Sequence, residues 1–422
     1  MFYQIGNNIC GPVFYNYVLW VLKNAQQKKI KILYFLARDG YLLYKIAQIM
    51  CKQLKLNIEC RYLYCSRYAL RMPTYHFIND EELETLIFAN SNEITLKNIF
   101  LKTDFNLFEM HEVLTDCNLN VELDKKLNYV ELKKYKNTII ENRLYRKLVN
   151  EKSISAYNDI IRYFKQEKIF YFKHIGIVDS GWTGSMQRSL RQILERNNLN
   201  IKITGFYFGL YSLKHDEKDG EYCAWYFSPK TQFWNKVLFS NNVLECMLSA
   251  PHEMTIGYQE QKDKWIPKLN CVKNCNKEEL YLLINEQICG CLDYINKNIN
   301  KCIINDFNNK KALNDSFKIL YKFTTFPSKK EVDAYSKFLF CDDVSEGYSQ
   351  SLADKKQIKL LSNYFIFTRI IRKITKKRTK NNFIGLFWPA GTAVYLPMYI
   401  RWWYKINIII GDVLRILLLA RK

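Results

Sequence analysis

His174-Ile175-Gly176-Ile177-Val178-Asp179-Ser180-Gly181-Trp182-Thr183-Gly184-Ser185-Met186-Gln187 passes from a short apolar run through a carboxylate and two glycines into a helical pattern that continues to Leu194. Apolar run, glycine-punctuated loop and amphipathic continuation predict a strand, a tight turn and a helix N-terminus. The unpaired N–H groups at such a terminus carry partial positive charge and suit a phosphate or another anion. Taken alone, the stretch is equally an ordinary βα turn with a capping serine, so the neighbouring segments must decide.

The same grammar occurs upstream. Ile30-Lys31-Ile32-Leu33-Tyr34-Phe35-Leu36 is apolar enough for a strand buried on both faces, and Ala37-Arg38-Asp39-Gly40 leads from it into a helix from Tyr41 to Leu54. A third strand, Cys60 to Cys65, ends in Ser66-Arg67. Gly11-Pro12 opens an earlier helix over Val13–Ala25, with proline in the first turn. After the 174–187 stretch, Ile203 to Tyr211 supplies a further strand. This alternation predicts an α/β fold: a Rossmann-like, mostly parallel sheet with covering helices. Residues 1–78 and 169–260 form that core. Residues 79–168 form a helical insertion, including one long amphipathic stretch from Tyr135 to Phe164. Residues 261–364 form a helical region with a capping box at Ser328-Lys329-Lys330-Glu331, and 365–422 a basic, aromatic tail.

In such sheets ligands sit beyond the carboxyl ends of the strands. Parallel strands would gather Arg38, Asp39, Gly40, Ser66, Arg67, Asp179, Ser180, Gly181, Thr183, Gly184, Ser185 and Gln187 at one cleft. Asp39, Asp179 and the pair His252 and Glu253 are the candidate acid/base groups, because carboxylates and imidazoles are the side chains that move protons near neutral pH. The other residues of the cleft are candidates for holding phosphate.

The chain of 422 residues is 48% hydrophobic, enough for a large core and inconsistent with a disordered chain. Lys and Arg number 63 against 41 Asp and Glu, a net charge of +22 that favours an anionic partner. No nucleic-acid-binding motif accompanies that charge, so nucleic acid is not the expected partner. The 13 cysteines lie mostly in apolar patterns and are expected to be reduced thiols. Cys271-x3-Cys275 with Cys289-Gly290-Cys291 has a second pair too tightly spaced for a structural zinc site, and no metal ligands are assigned.

The first ten residues lack a targeting pattern, and no apolar run reaches the ~18 residues of a spanning helix. In the tail, Arg369 to Lys380 packs seven basic residues into twelve, followed by Tyr399-Ile400-Arg401-Trp402-Trp403-Tyr404-Lys405 and an apolar run interrupted by Asp412 and Arg415. Interrupted apolar helices with aromatic anchors lie in a membrane interface rather than spanning it, and basic runs add attraction to anionic lipid. The expected location is cytoplasmic, peripheral on an anionic inner membrane. The competing expectation is a tail packed back onto the core.

Arg38-Asp39-Gly40-Tyr41, Tyr64-Cys65-Ser66-Arg67, the Asp179-to-Gln187 block, Gly205-Phe206-Tyr207-Phe208-Gly209 and Trp388-Pro389-Ala390-Gly391 together resemble a family of bacterial surface-polysaccharide biosynthesis proteins. Its members are described both as sugar transferases of capsule or lipopolysaccharide loci and as haloacid-dehalogenase-like hydrolases. The resemblance covers most of the chain and implies a glycosyltransferase. Its partners would be a nucleotide-sugar donor and a glycan or lipid-linked acceptor, with Asp39 as the first-choice base. The hydrolase branch implies Asp39 as nucleophile and Asp179 as a ligand of Mg2+, the one cofactor the resemblance raises. There the chain departs from the pattern: Tyr41 stands where that branch has its second aspartate, and Ser180 follows Asp179 where it has an acidic pair. No Asp-x-Asp triplet occurs in the likely cleft loops, which points to a metal-independent transferase. A non-catalytic member of the same pathway is the third reading the resemblance allows.

Overall fold

The computed structural model describes the chain apart from residues 89–94, 214–218, 238, 271–276, 300–309, 341–349, 365–384 and 421–422. The basic run Arg369–Lys380 and the cysteines Cys271 and Cys275 therefore lie outside the described residues.

A five-stranded sheet organises the molecule. Its strands are β1 (Ile32–Leu36), β2 (Glu59–Leu63), β3 (His174–Trp182), β4 (Lys202–Leu210) and β5 (Glu221–Phe227). Every pairing is parallel, and the spatial order is β2-β1-β3-β4-β5. The expected Rossmann-like α/β sheet is present, with β5 as an additional edge strand. The order 2-1-3-4-5 reverses direction between β1 and β3, and in a doubly wound sheet that switch point opens a crevice at the strands' carboxyl ends.

Strand residues alternate between two cores, as the two-residue period requires. Leu33, Phe35, Val178, Phe206 and Phe208 face one side, against α1 (Gly11–Gln27) and α2 (Gly40–Gln53). Ile32, Tyr34, Leu36, Ile175, Ile177 and Ile203 face the other. They meet α3 (Arg67–Arg71), the C-terminal part of α4 (Arg143–Gln166) and α5 (Ser185–Arg196). At about 1.5–3 kcal/mol for each fully buried large aliphatic or aromatic side chain, these two layers hold the strand ends in fixed register.

The first face is shared further than the sequence indicated. α6 (Asn241–Met247), α7 (Lys277–Asn298) and α8 (Lys310–Thr325) contribute Leu244, Met247, Ile284, Ile288, Cys291, Leu320 and Phe323 to the same core as α1 and the sheet. The N-terminal turns cross α7 in backbone contact: a Cβ at Gly6 would lie 2.0 Å from the Gln287 carbonyl oxygen, and one at Gly290 would lie 2.1 Å from that of Tyr3. Only glycine at both positions permits that approach.

Two local expectations need correction. The 135–164 stretch is interrupted: one helix covers Tyr129–Glu141, and α4 starts afresh because the Asn142 side chain caps it, accepting from the Tyr145 N–H. Residues from Gln261 onward do not begin as helix. They complete an antiparallel hairpin of β6 (Thr255–Gln261) and β7 (Lys264–Leu269). Its turn residues Lys262 and Asp263 both take positive φ, the geometry usually signalled by Asn-Gly, and that signal is absent here. The insertion has its own core around Ile99, Phe100, Val113 and Tyr145.

The tail packs in part back onto the core. α9 (Met398–Ala420) buries Tyr404 and Ile408 against Val237, Leu361 and Leu386, while Tyr399, Trp402 and Trp403 remain exposed. No described helix is long and apolar enough to cross a membrane.

Candidate active site

The crevice between the ends of β1 and β3 is lined by carboxylates. Asp39 sits at the N-cap of α2, three residues beyond β1. Asp179 lies near the end of β3 and is 8% exposed. A third acid joins them: Glu245 on α6, whose carboxylate accepts the Trp182 indole N–H at 2.7 Å.

The three acids perturb one another. Burial raises the Asp39 carboxyl above the ordinary range; the Ser180 hydroxyl hydrogen bond and the charges of Arg38 and Arg67 oppose that rise. Asp179 is pushed up to about 7, first by burial and then by the Asp39 charge, against the Ser180 and Gly181 N–H groups and Arg67. Glu245 is pushed up to about 8 by burial and by Asp39, against Arg67, the Trp182 indole and Arg38. Crowded acids cannot all ionise without a cost that falls when one keeps its proton. All three acids therefore hold their protons to higher pH than ordinary carboxyls do, the kind of tuning that suits proton transfer near neutral pH. Arg38 and Arg67 are exposed and lie close enough to act on this cluster, so two cations border the acids.

The surrounding backbone is fixed in place. The Tyr17 hydroxyl, on α1, donates to the carbonyls of Asp179 at 3.1 Å and Phe206 at 2.9 Å. After Asp179, Gly181 takes φ 107° and Trp182 φ 72°. A Cβ at Gly181 would meet the Gly209 carbonyl at 2.6 Å, so the loop requires glycine there. Gly184, at φ 66°, caps α5 with no side chain over its first turn. The N-cap thus supplies no side-chain acceptor to the first-turn N–H groups, a feature shared with helix N-termini that bind anions. Thr183, exposed, belongs to the same loop.

Several of the anticipated residues are already committed elsewhere. Ser66 caps α3, accepting from the Ala69 N–H at 3.0 Å and donating to the Thr255 carbonyl at 2.7 Å. Gln187 is fully buried; its amide donates to the carbonyls of Asp219 and Glu221 and accepts from the Tyr207 hydroxyl, bracing β4 against β5. Its place two residues into α5 suggested a ligand contact, but the first helical turn points its side chain into the sheet. Gly40 serves packing, since a Cβ there would lie 2.7 Å from the Phe35 carbonyl carbon.

His252 and Glu253 part company. His252 Nδ1 lies 2.8 Å from the Glu253 carbonyl oxygen, which can only accept, so Nδ1 carries the proton and Nε2 accepts from the Tyr62 hydroxyl at 2.6 Å. Burial lowers its pKa and the nearby Arg38 adds to that, outweighing the Glu253 carbonyl, so the ring is neutral at pH 7. It forms an aromatic wall with Tyr41, Tyr62 and Tyr64 beside Arg38. The Glu253 carboxylate is engaged by Lys277 at 2.6 Å and by the Tyr281 hydroxyl at 2.7 Å.

Glu245 and Trp182 are the residues absent from the sequence-based set. A glutamate inside Val243-Leu244-Glu245-Cys246-Met247 is itself a signal, because glutamate is rarely buried in an apolar run without a purpose. Among the described residues, no group of three or more His, Cys, Asp or Glu side chains is arranged to hold a metal ion. Ser180, which replaces the second acid of the hydrolase pattern, spends its hydroxyl on Asp39. The second acid of that magnesium-binding pattern is therefore missing, its place taken by a hydroxyl. No protein-family model matches the chain, and no curated protein matches it.

Proposed function

We propose that the protein is a glycosyltransferase of surface-polysaccharide biosynthesis, moving a sugar from a nucleotide-activated donor to a glycan or lipid-linked acceptor. The observation that carries this reading is the meeting of Asp39, Asp179 and Glu245 with Arg38 and Arg67 at the switch point of the sheet.

The acceptor hydroxyl oxygen attacks the anomeric carbon, and the carbon–oxygen bond to the diphosphate breaks, its electron pair leaving with the nucleoside diphosphate. Asp39 takes the hydroxyl proton; Ser180 and the two arginines favour its ionised form. Asp179 and Glu245 keep the remaining proton of the cluster. Arg38, Arg67 and the N–H groups of the Gly181–Ser185 loop stabilise the charge developing on the leaving diphosphate. The chain works at an anionic membrane surface, with α9 as its contact, where a lipid-linked acceptor is presented.

Incubation with a panel of nucleotide sugars and a lipid-linked or synthetic acceptor should release nucleoside diphosphate, and Asp39→Asn or Asp179→Asn should lower that release sharply. Unchanged transfer in both variants removes the site assignment. A second reading, phosphoryl transfer from a sugar phosphate, draws support from Asp39 and Asp179 lying at the ends of adjacent strands. Magnesium-dependent phosphate release from sugar phosphates, without transfer, would select it.

A further inference from the structure

We propose that Arg401 and Lys405 form a phosphate-headgroup site on the flank of a lipid-facing stripe of α9, so that the tail recognises anionic phospholipid and not merely an apolar interface. The proposal rests on the membrane reading above and names the ligand chemistry and the contact residues.

The helix has three faces. Tyr404 and Ile408 point into the protein. Tyr399, the adjacent Trp402 and Trp403, and then Ile406, Ile410 and Leu414 at steps of three or four point away from it and are each 46–75% exposed. A helix needs only one apolar stripe to dock on its own core; the second is an aromatic-rich patch of the kind that marks an interaction surface.

Arg401 and Lys405, one turn apart, lie on the boundary between these faces. Lys405 is 5% exposed, and its ammonium lies 3.8 Å from the centroid of the Phe326 ring. That ring also meets Trp402 of the outer stripe, with centroids 6.0 Å apart. The Arg401 guanidinium donates to the carbonyls of Val394 and Leu396. Among the described residues, neither cation forms an ion pair. Burial, and then the Arg401 charge, lower the Lys405 pKa to about 8. The ring face offsets part of the cost of burying the ammonium, but nothing described offsets the like charge of Arg401, and an anion beside the two cations would do so. The choice of lipid follows from charge complementarity and position: the cations border the apolar stripe, and seven more basic residues lie between Arg369 and Lys380 in a chain of net charge +22.

The test is co-sedimentation of the full chain with vesicles of phosphatidylcholine alone and of phosphatidylcholine with phosphatidylglycerol. The full chain should prefer the anionic vesicles. Lys405→Gln should weaken that binding roughly five-fold, the share of one basic residue near a charged surface, without lowering the melting temperature, because a buried cation has been removed. Trp402→Ser with Trp403→Ser should remove binding to both vesicle types. If Lys405→Gln binds anionic vesicles as the parent does while the double tryptophan variant fails, the headgroup site is overturned and the membrane reading stands. If the parent binds neither vesicle, the membrane reading itself falls. Stabilisation of the parent, but not of Lys405→Gln, by inorganic phosphate, with no preference between vesicles, would assign a free-anion site and overturn the lipid assignment. A lipid-free dimer that the tryptophan variant dissociates would make the stripe an interface between copies and overturn it too.

Discussion

The two ends of the sheet carry the same kinds of side chain in opposite electrostatic states. At the amino-terminal edge, Glu221 receives Lys28 at 2.5 Å, Arg61 bridges Glu59 at 2.7 Å and Glu167 at 3.0 Å, and His174 meets the Thr204 hydroxyl at 2.9 Å. Burial pushes the Glu221 carboxyl up, but the Lys28 hydrogen bond and charge outweigh it and leave its pKa below the usual carboxylate range. At the carboxyl-terminal edge, Glu245 is pushed to about 8 and Asp179 to about 7; the arginines soften the crowding, but among the described residues neither acid forms an ion pair. Residue type is the same; what differs is how deeply each acid is buried and whether it has been given its own cation. Paired charges belong to the fold, whereas charges left in competition mark the candidate site.

This contrast can be broken by substitution. The largest expected effect is on turnover: Asp39→Asn removes the proposed base and should lower kcat by about 100- to 10,000-fold, within the range of general-base catalysis, with the melting temperature retained. Steady-state rates of nucleoside diphosphate release check it.

The next effect has the opposite sign for stability. A carboxyl whose folded pKa lies above its unfolded value costs the folded state progressively more as pH rises from about 4 towards 7 or 8. Asp179→Asn and Glu245→Gln remove that cost and should stabilise the protein by about 1–2 kcal/mol at pH 8.5, with the gain vanishing near pH 4. Thermal melts at both pH values read this out, and a loss of stability at pH 8.5 would count against a frustrated cluster.

The smallest effect belongs to the paired edge. Glu221→Gln should cost only about 0.5 kcal/mol, because the Glu221 side chain is 39% exposed and solvent screens the pair. It should leave transfer activity unchanged, which differential scanning calorimetry and the rate assay test together.

The fold was legible where the chain signals locally. Leu33-Tyr34-Phe35-Leu36 and Ile175-Gly176-Ile177-Val178 announce buried strands, and Gly181 and Gly184 announce a turn that only their conformations allow. Asp39 and Asp179 followed from strand polarity. Glu245 did not, because it reaches the cleft through the indole of Trp182, 63 residues away in the chain. Gln187 was over-read for the converse reason. Its sequence neighbours are loop residues, but its amide is oriented by Tyr207 and the carbonyls around Gly220, which only the packed β4–β5 edge brings near. The hairpin of β6 and β7 escaped because Lys262-Asp263 adopts a glycine-like turn without glycine.

The central claim is that the cleft holds a carboxylic acid at neutral pH. Carbon-13 NMR of side-chain carboxyls in Asp- and Glu-labelled protein, titrated from pH 4 to pH 9 and assigned with Asp39→Asn, Asp179→Asn and Glu245→Gln, measures it directly. The account predicts carboxyl resonances that titrate near pH 7 and 8 for Asp179 and Glu245 and move to lower pH when Asp39 is neutralised. Complete ionisation of all three groups below pH 5 would contradict it.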